Sequence, residues 1–433
     1  MEPLRMTPTV AIADLKLGMF IHLDLGWMSH PFPLSSFRLT SAEQIATLRT
    51  LGLSHVRWSP EKSVLIDTEA EGRAAREAAE AAARAAGPSA EQLAAIARRQ
   101  ALGAQRQAEK LAERQYAEAA KAWRDAAERV ATQPVSSRED TEALTRALLD
   151  KLLVDGDLCI RLLAGGAADR STAHALNVTV IALLMARAVG LSEAELTDLG
   201  TGALLHDVGK LDLPARVRHL DEGFTTAEAN AYRQHVAAGV AHGKRMGLSP
   251  GALAVLAQHH EHADGTGFPL KLVADRCTMA SRIVSIVNRY DNLCNPLQPA
   301  RALTPHEAVS MLFAQYRQRF DATLLNAFIR MMGVYPAGSC VQLTDERWAL
   351  VVGVNSSRPL KPRVLLHDPK VPRDEALHLN LEDTPDLGIR RSVPISKLPE
   401  GALAYLAPRP RVAYFFEPAV PVDAVARASE AVA

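Results

Sequence analysis

The sequence predicts a mainly α protein, and three features of the chain carry that prediction. Capping boxes recur ahead of amphipathic runs, apolar residues recur at helical spacing, and one long block is rich in strong helix formers. The expected architecture is an all-helical core over residues 139–333. A small N-terminal α/β module at 1–67 and an alanine-rich helical linker or coiled coil at 68–138 precede it. A small β-rich unit at 334–420 and a tail at 421–433 follow.

Each part has its own signal. In residues 10–65, short β-branched runs (Met19-Phe-Ile-His-Leu-Asp-Leu and Ser54-His-Val-Arg-Trp) flank a capping box at Ser41-Ala-Glu-Gln44, which opens a short helix through Ile45 and Leu48. Alanine exceeds a third of residues 71–130, with Gly87-Pro88-Ser89 the one clear break. Large apolar residues are few there, so two exposed helices serving as a spacer or homodimer contact are expected. In the helical core, boxes stand at Ser192/Glu195, Thr225/Glu228 and Thr304/Glu307, and Ser249-Pro250 starts the helix that runs toward His259. After Gly333, runs such as Ser339-Cys-Val-Gln-Leu and Trp348-Ala-Leu-Val-Val, separated by prolines, read as antiparallel strands.

Composition excludes several functions. The 49 basic and 49 acidic side chains balance, which argues against a nucleic acid polymer held by bulk basicity. At 5% aromatic residues, stacking platforms for single strands are not expected either. The N-terminus lacks the apolar segment of a signal peptide, and the longest apolar stretch, near Leu176 to Met185, is short for a bilayer. No membrane association is expected. Cys159, Cys277, Cys294 and Cys340 form no CxxC pair and read as reduced, buried thiols of a cytoplasmic protein.

The histidines are concentrated. Of 14, seven lie between His206 and His262, with His174 just upstream. Imidazole is the commonest side-chain metal ligand, so the cluster points to a site. His206-Asp207 pairs one imidazole with a carboxylate able to bridge two cations, as two-metal hydrolysis requires, and Lys210 one turn on suits a phosphate oxygen. His174, His235, His259 and His260 fall on neighbouring predicted helices. Together with His206 and Asp207 they predict a binuclear metal centre.

Leu204-Leu-His-Asp-Val-Gly-Lys210 and His259-His-Glu-His-Ala-Asp-Gly-Thr-Gly-Phe-Pro269 resemble the signatures of the HD-GYP branch of the HD phosphohydrolases. Leu17-Gly-Met-Phe20, Trp27 and His30-Pro-Phe32 are similar to the small domain that often precedes it. The resemblance implies a phosphodiesterase that hydrolyses the bacterial second messenger cyclic di-GMP to pGpG or GMP with iron or manganese ions. By the same resemblance, His174, His206 and Asp207 hold one metal and Asp207, His235, His259 and His260 the other. Asp207 and Lys210 are then the catalytic pair, and Lys210, Asp264, Gly265, Gly267, Phe268 and Pro269 line the substrate pocket. Asn288 stands where the family has an aspartate ligand, and no glutamate stands one turn before His174. Leu220-Asp221-Glu222 and Leu297-Gln298-Pro299-Ala300 replace runs that carry cations in the family. The alternative expectation is therefore a weakly active or inactive HD-GYP module that serves as a cyclic di-GMP receptor or binds other signalling proteins.

Overall fold

The computed structural model describes residues 8–25, 30–65, 89–153, 156–163, 169–219, 223–409 and 411–418. Trp27, the alanine-rich block before residue 89, Leu220 to Glu222 and the tail from 421 lie outside them. The chain divides into two compact units, Met1–Ile96 and Ala97–Ala433.

In the first unit, β1 (Thr9–Ala11), β2 (Phe20–His22), β3 (Ser36–Arg38) and β4 (His55–Trp58) form an antiparallel sheet in the order β1-β4-β2-β3. Helix α1 (Ala42–Thr50) begins at the expected capping box, Ser41 accepting from the Gln44 N–H at 3.2 Å. It buries Ile45 and Leu48 with Ile12, Ile21, Leu39 and Val56.

The second unit is mainly helical. Helix α2 (Ala90–Arg129), which belongs to this unit from Ala97 onward, departs from the expected exposed spacer. From Ala112 onward one face is buried, with Tyr116, Ala119, Ala120, Trp123 and Ala126 packed into the main core. The small alanines that left the block looking coreless let the helix approach its neighbours closely. Two aromatic rings then fill the space between.

Helices α3 (Pro134–Leu152), α4 (Arg170–Ala188), α5 (Glu193–Leu205), α6 (Thr226–Met246), α7 (Pro250–Gln258) and α8 (Met279–Cys294) build the body. Helices α9 (Pro305–Gln315) and α10 (Ala322–Met332) complete it. The boxes at Ser192, Thr225 and Thr304 all form. α4 is long and apolar enough to cross a membrane by length and composition, but most of it lies inside the core. There Val178, Ile181, Leu183 and Met185 are fully inaccessible.

The C-terminal region is less separate than the sequence suggests. Strands β5 (Leu158–Leu162), β6 (Cys340–Leu343), β7 (Trp348–Asn355), β8 (Arg363–Leu366), β9 (Leu379–Asn380), β10 (Ile389–Ser392) and β11 (Tyr414–Pro418) make one antiparallel sheet. Its main path runs β10-β6-β7-β5-β11, with β8 and β9 added alongside β7. β5 falls within the stretch read as all-helical, which is a correction. Leu158, Cys159, Ile160 and Arg161 are all buried. A short run buried on both faces shows no alternation, and periodicity cannot separate it from a piece of core helix. All four cysteines are free and buried.

Candidate metal centre

Five imidazoles and one carboxylate meet where four helices end or face each other. His174 projects from the first turns of α4, and His235 from the middle of α6. His206 caps the C-terminus of α5 and His259 that of α7, with Asp207 and His260 the next residues. The HD pair therefore sits where α5 gives way to the 3-10 turn Val208–Asp212, not within a continuous helix as the spacing argument supposed. Gly209 makes this junction possible. A Cβ there would lie 2.0 Å from the His235 carbonyl oxygen and 2.4 Å from the Gly239 nitrogen. Only a glycine lets the turn press against α6 and bring Asp207 beside His235.

Asp207 is central. Its Oδ2 lies 3.5 Å from Nε2 of both His174 and His206, and its Oδ1 lies 3.6 Å from Nε2 of His235 and 3.9 Å from that of His259. One oxygen thus faces each histidine group, and His260 joins the second group.

The tautomers follow from the opposite ring nitrogens. Nδ1–H of His206, His235 and His259 donates to the carbonyls of Ala203, Tyr232 and Leu256 at 2.7, 2.5 and 3.0 Å. Nδ1–H of His174 donates to Asp291 Oδ2 at 2.6 Å. Every Nε2 of these four rings is left with a lone pair. Yet His174 and His206 bring theirs to 3.2 Å, and His235 and His259 to 3.3 Å. Two facing lone pairs repel unless a cation lies between them. Asp207 Oδ1 and His260 Nε2 are buried with no hydrogen-bond partner. The donor set fits two divalent cations sharing Asp207.

Burial pushes His206 and His235 down to about 4, and His259 and His260 well below the usual imidazole range. All four rings are neutral at pH 7, the form in which an imidazole can bind a cation. Burial alone would raise Asp207, but Lys210 and the surrounding imidazoles hold its carboxyl well below its ordinary value. Lys210 Nζ donates to Asp207 Oδ2 at 2.6 Å and lies over the Tyr232 ring.

The other residues singled out in the sequence fall around this cluster. Phe268 stacks on His260 at 4.4 Å between centroids, and the chain curls so tightly that a Cβ on Gly267 would meet three backbone atoms of residues 260–262 within 2.5 Å. The Glu261 carboxylate holds the far side of that loop by accepting the N–H groups of Leu270 and Leu272. Asp264 closes its own turn onto Thr266, and Gly265 takes a positive φ there. Asn288 is buried, its Oδ1 accepting from Asn292 at 2.6 Å.

Sequence reasoning missed the support of His174. Asp291 Oδ1 accepts from the side-chain amides of Asn177 and Asn295, both at 2.8 Å. The same amides donate to the Val412 carbonyl at 3.0 Å, while the Val412 and Tyr414 N–H groups donate back to Asn295 and Asn177. Two asparagines on separate helices gave no local signal for this. A cavity of about 310 Å³ opens beside the first histidine group, bordered by His174, Asp207, Lys210 and, from α2, Trp123. The Asp264–Pro269 loop is not among its walls.

This fold and ligand set define an HD-domain protein. Residues 157–324 match the HD domain family, and residues 8–141 match a domain of unknown function, DUF3391. The chain is an HD-domain protein with an N-terminal DUF3391 segment, related to the HD-GYP cyclic di-GMP phosphodiesterases. It is 26% identical over 367 residues to cyclic di-GMP phosphodiesterase PA4108 of Pseudomonas aeruginosa, covering 83% of this chain and 84% of that one. It is 32% identical over 153 residues to the cyclic di-GMP phosphodiesterase response regulator RpfG of Xanthomonas campestris, covering 35% and 40% of the two chains. Against PdeB, a cyclic di-GMP phosphodiesterase of Borreliella burgdorferi, identity is 22% over 191 residues, or 44% of this chain and half of that one. Among solved structures, Bd1817, an HDG"Y"P protein from Bdellovibrio bacteriovorus, aligns with a TM-score of 0.39 at 14% identity, covering 74% of this chain and 97% of that one.

Proposed function

We propose that the protein is a metal-dependent phosphodiesterase that opens cyclic di-GMP to pGpG or GMP, using two iron or manganese ions. The observation that carries this reading is the set of Nε2 lone pairs turned inward on both oxygens of Asp207. His174, His206 and Asp207 would hold one ion, and Asp207, His235, His259 and His260 the other. When bound, two such cations supply Lewis acidity to a phosphodiester and a nucleophile at neutral pH.

The chain's own residues do the rest. Asp291 fixes the His174 ring, and three backbone carbonyls fix three more, so the ligands need no reorganisation when the ions enter. Phe268 covers His260, and the Tyr232 ring lies under Lys210, which keeps bulk water off that side. Lys210 places one positive charge at Asp207, where a phosphoryl oxygen would gather negative charge. Four unpaired buried thiols suit a cytoplasmic enzyme, and the balanced overall charge leaves a small anion to be drawn by local groups such as Lys210.

Anaerobically purified protein, loaded with iron or manganese and mixed with cyclic di-GMP, should yield linear product by chromatography. Asp207→Ala should abolish it. Protein carrying two ions per chain that leaves the substrate whole refutes the enzyme reading. Binding without turnover would instead favour a receptor, the reading suggested by the uncharged Asn288 and its engagement with Asn292.

A further inference from the structure

The cavity beside the first histidine group lies within the size range of ligand pockets, roughly 300–1,000 Å³. Its charges are unequal. Arg124, Arg170, Lys210 and Arg218 line it, against Glu128, Asp169 and Asp207. Lys210 is paired with Asp207. Asp169 caps α4 by accepting from Ser171 and Thr172, with Arg124 4.0 Å away. Among the described residues, no carboxylate pairs with Arg170 or Arg218.

Both of these arginines are nevertheless held in place, and by neutral groups. Arg170 Nε and Nη2 donate to the Asn295 carbonyl at 3.3 and 3.2 Å, and Nη1 donates to His219 Nδ1. A guanidinium has five N–H groups. Those three bonds leave one N–H on each terminal nitrogen of Arg170. Arg218 is anchored through Nε on the Leu213 carbonyl at 2.9 Å and Nη2 on that of Leu211 at 3.5 Å, leaving Nη1 without a partner among the described residues. Because His219 accepts at Nδ1, its remaining proton sits on Nε2, a further donor at the same wall. Two positive charges fixed by backbone carbonyls, with donors left over, form a preorganised anion seat. Trp123 and Leu204 give the seat an apolar side.

We propose that this cavity seats one nucleotide of the substrate, with Arg170 and Arg218 gripping its phosphate and Trp123 of α2 walling its base. The occupant's identity rests on the phosphodiesterase reading; the anion seat rests on the arginines. The alanine-rich helix thereby becomes part of the binding site and not a spacer outside it.

The test uses the full chain freed of metal by a chelator, so that no turnover intrudes, and titrated with 5′-GMP by calorimetry. Wild type should bind. Arg170→Gln should weaken binding about 10- to 100-fold, as expected for lost hydrogen bonds between charged groups. Arg218→Gln should also weaken it. Arg170→Lys, which keeps the charge without the fork, should recover part of the loss, a result that misfolding would not give. All three variants should take up as many metal ions as wild type. GMP affinity unchanged in Arg170→Gln, or no GMP binding by wild type, overturns the seat. The two readings separate cleanly. Wild type that binds GMP but spares cyclic di-GMP loses the phosphodiesterase and keeps the seat. Turnover with a KM that Arg170→Gln does not alter loses the seat and keeps the enzyme.

Discussion

Replacing Asp291 by asparagine would invert the tautomer of a metal ligand while barely changing volume. Asp291 receives three donors: His174 Nδ1–H at 2.6 Å and the amides of Asn177 and Asn295 at 2.8 Å each. An asparagine offers one oxygen and one NH2. With its oxygen toward the two amides, its NH2 faces His174 Nδ1, which must then accept. The imidazole proton moves to Nε2, the nitrogen that lies 3.5 Å from Asp207 and 3.2 Å from His206 Nε2. Restoring the ligand form costs about one charge-assisted hydrogen bond, ~1.5–3 kcal/mol. That corresponds to metal affinity lower by about 10- to 100-fold, in line with losses seen when the partner of a ligating histidine is removed. The loss should fall on the position formed by His174, His206 and Asp207 and spare the one formed with His235, His259 and His260. Anaerobic titration with manganese, read by elemental analysis, should show Asp291→Asn binding one ion tightly and one weakly. Nitrogen-15 NMR of the metal-free protein should show His174 protonated at Nε2. Two ions bound with wild-type affinity, or a proton still on Nδ1, would refute the argument.

Two further expectations follow from geometry. Gly267→Ala places a methyl within 2.5 Å of His262 N, Glu261 Cα and His260 O, all backbone, so the loop must shift. The protein should lose about 1–3 kcal/mol of stability, and the second ion should bind more weakly; an unchanged melting temperature together with full metal content would disprove the close approach. His378, nearly buried, is pushed down to about 3 by burial, and Glu109 at 3.5 Å does not hold a proton on its ring. The unfolded chain binds that proton below about 6.5 and the folded chain does not, so this stability is whole above pH 6.5 and is lost as pH falls toward 3. Between pH 7 and pH 5 the loss should be about 2 kcal/mol. Denaturant unfolding of His378→Gln at the two pH values should show that much less dependence, and identical slopes would contradict it.

What the sequence made legible was local. The capping boxes at Ser41, Ser192, Thr225 and Thr304 are statements about three or four consecutive residues, and each forms. The histidines could be gathered from their density and their predicted helices. What stayed hidden depends on residues far apart in the chain. Asp291 and Asn295 are four residues apart, but the network they form also needs Asn177 and Val412, each more than a hundred residues away, and no spacing rule links positions that distant. Leu158–Leu162 lost its identity as a strand because both of its faces are covered. Trp123 and Arg170 border the cavity from segments whose composition, alanine-rich in one case and apolar in the other, advertised only helix.

The pairing of β5 with β11 joins a segment just ahead of the HD helices to one that follows the rest of the sheet. Val412, just ahead of that last strand, and Tyr414, its first residue, hold the amides that hold Asp291, which holds His174. During synthesis every candidate ligand is made well before these residues emerge. A nascent chain ending short of Val412 owns all five histidines and Asp207 but lacks the clasp that sets the first of them. On the two-ion reading, a chain clipped there would carry the whole signature while loading its first metal position poorly.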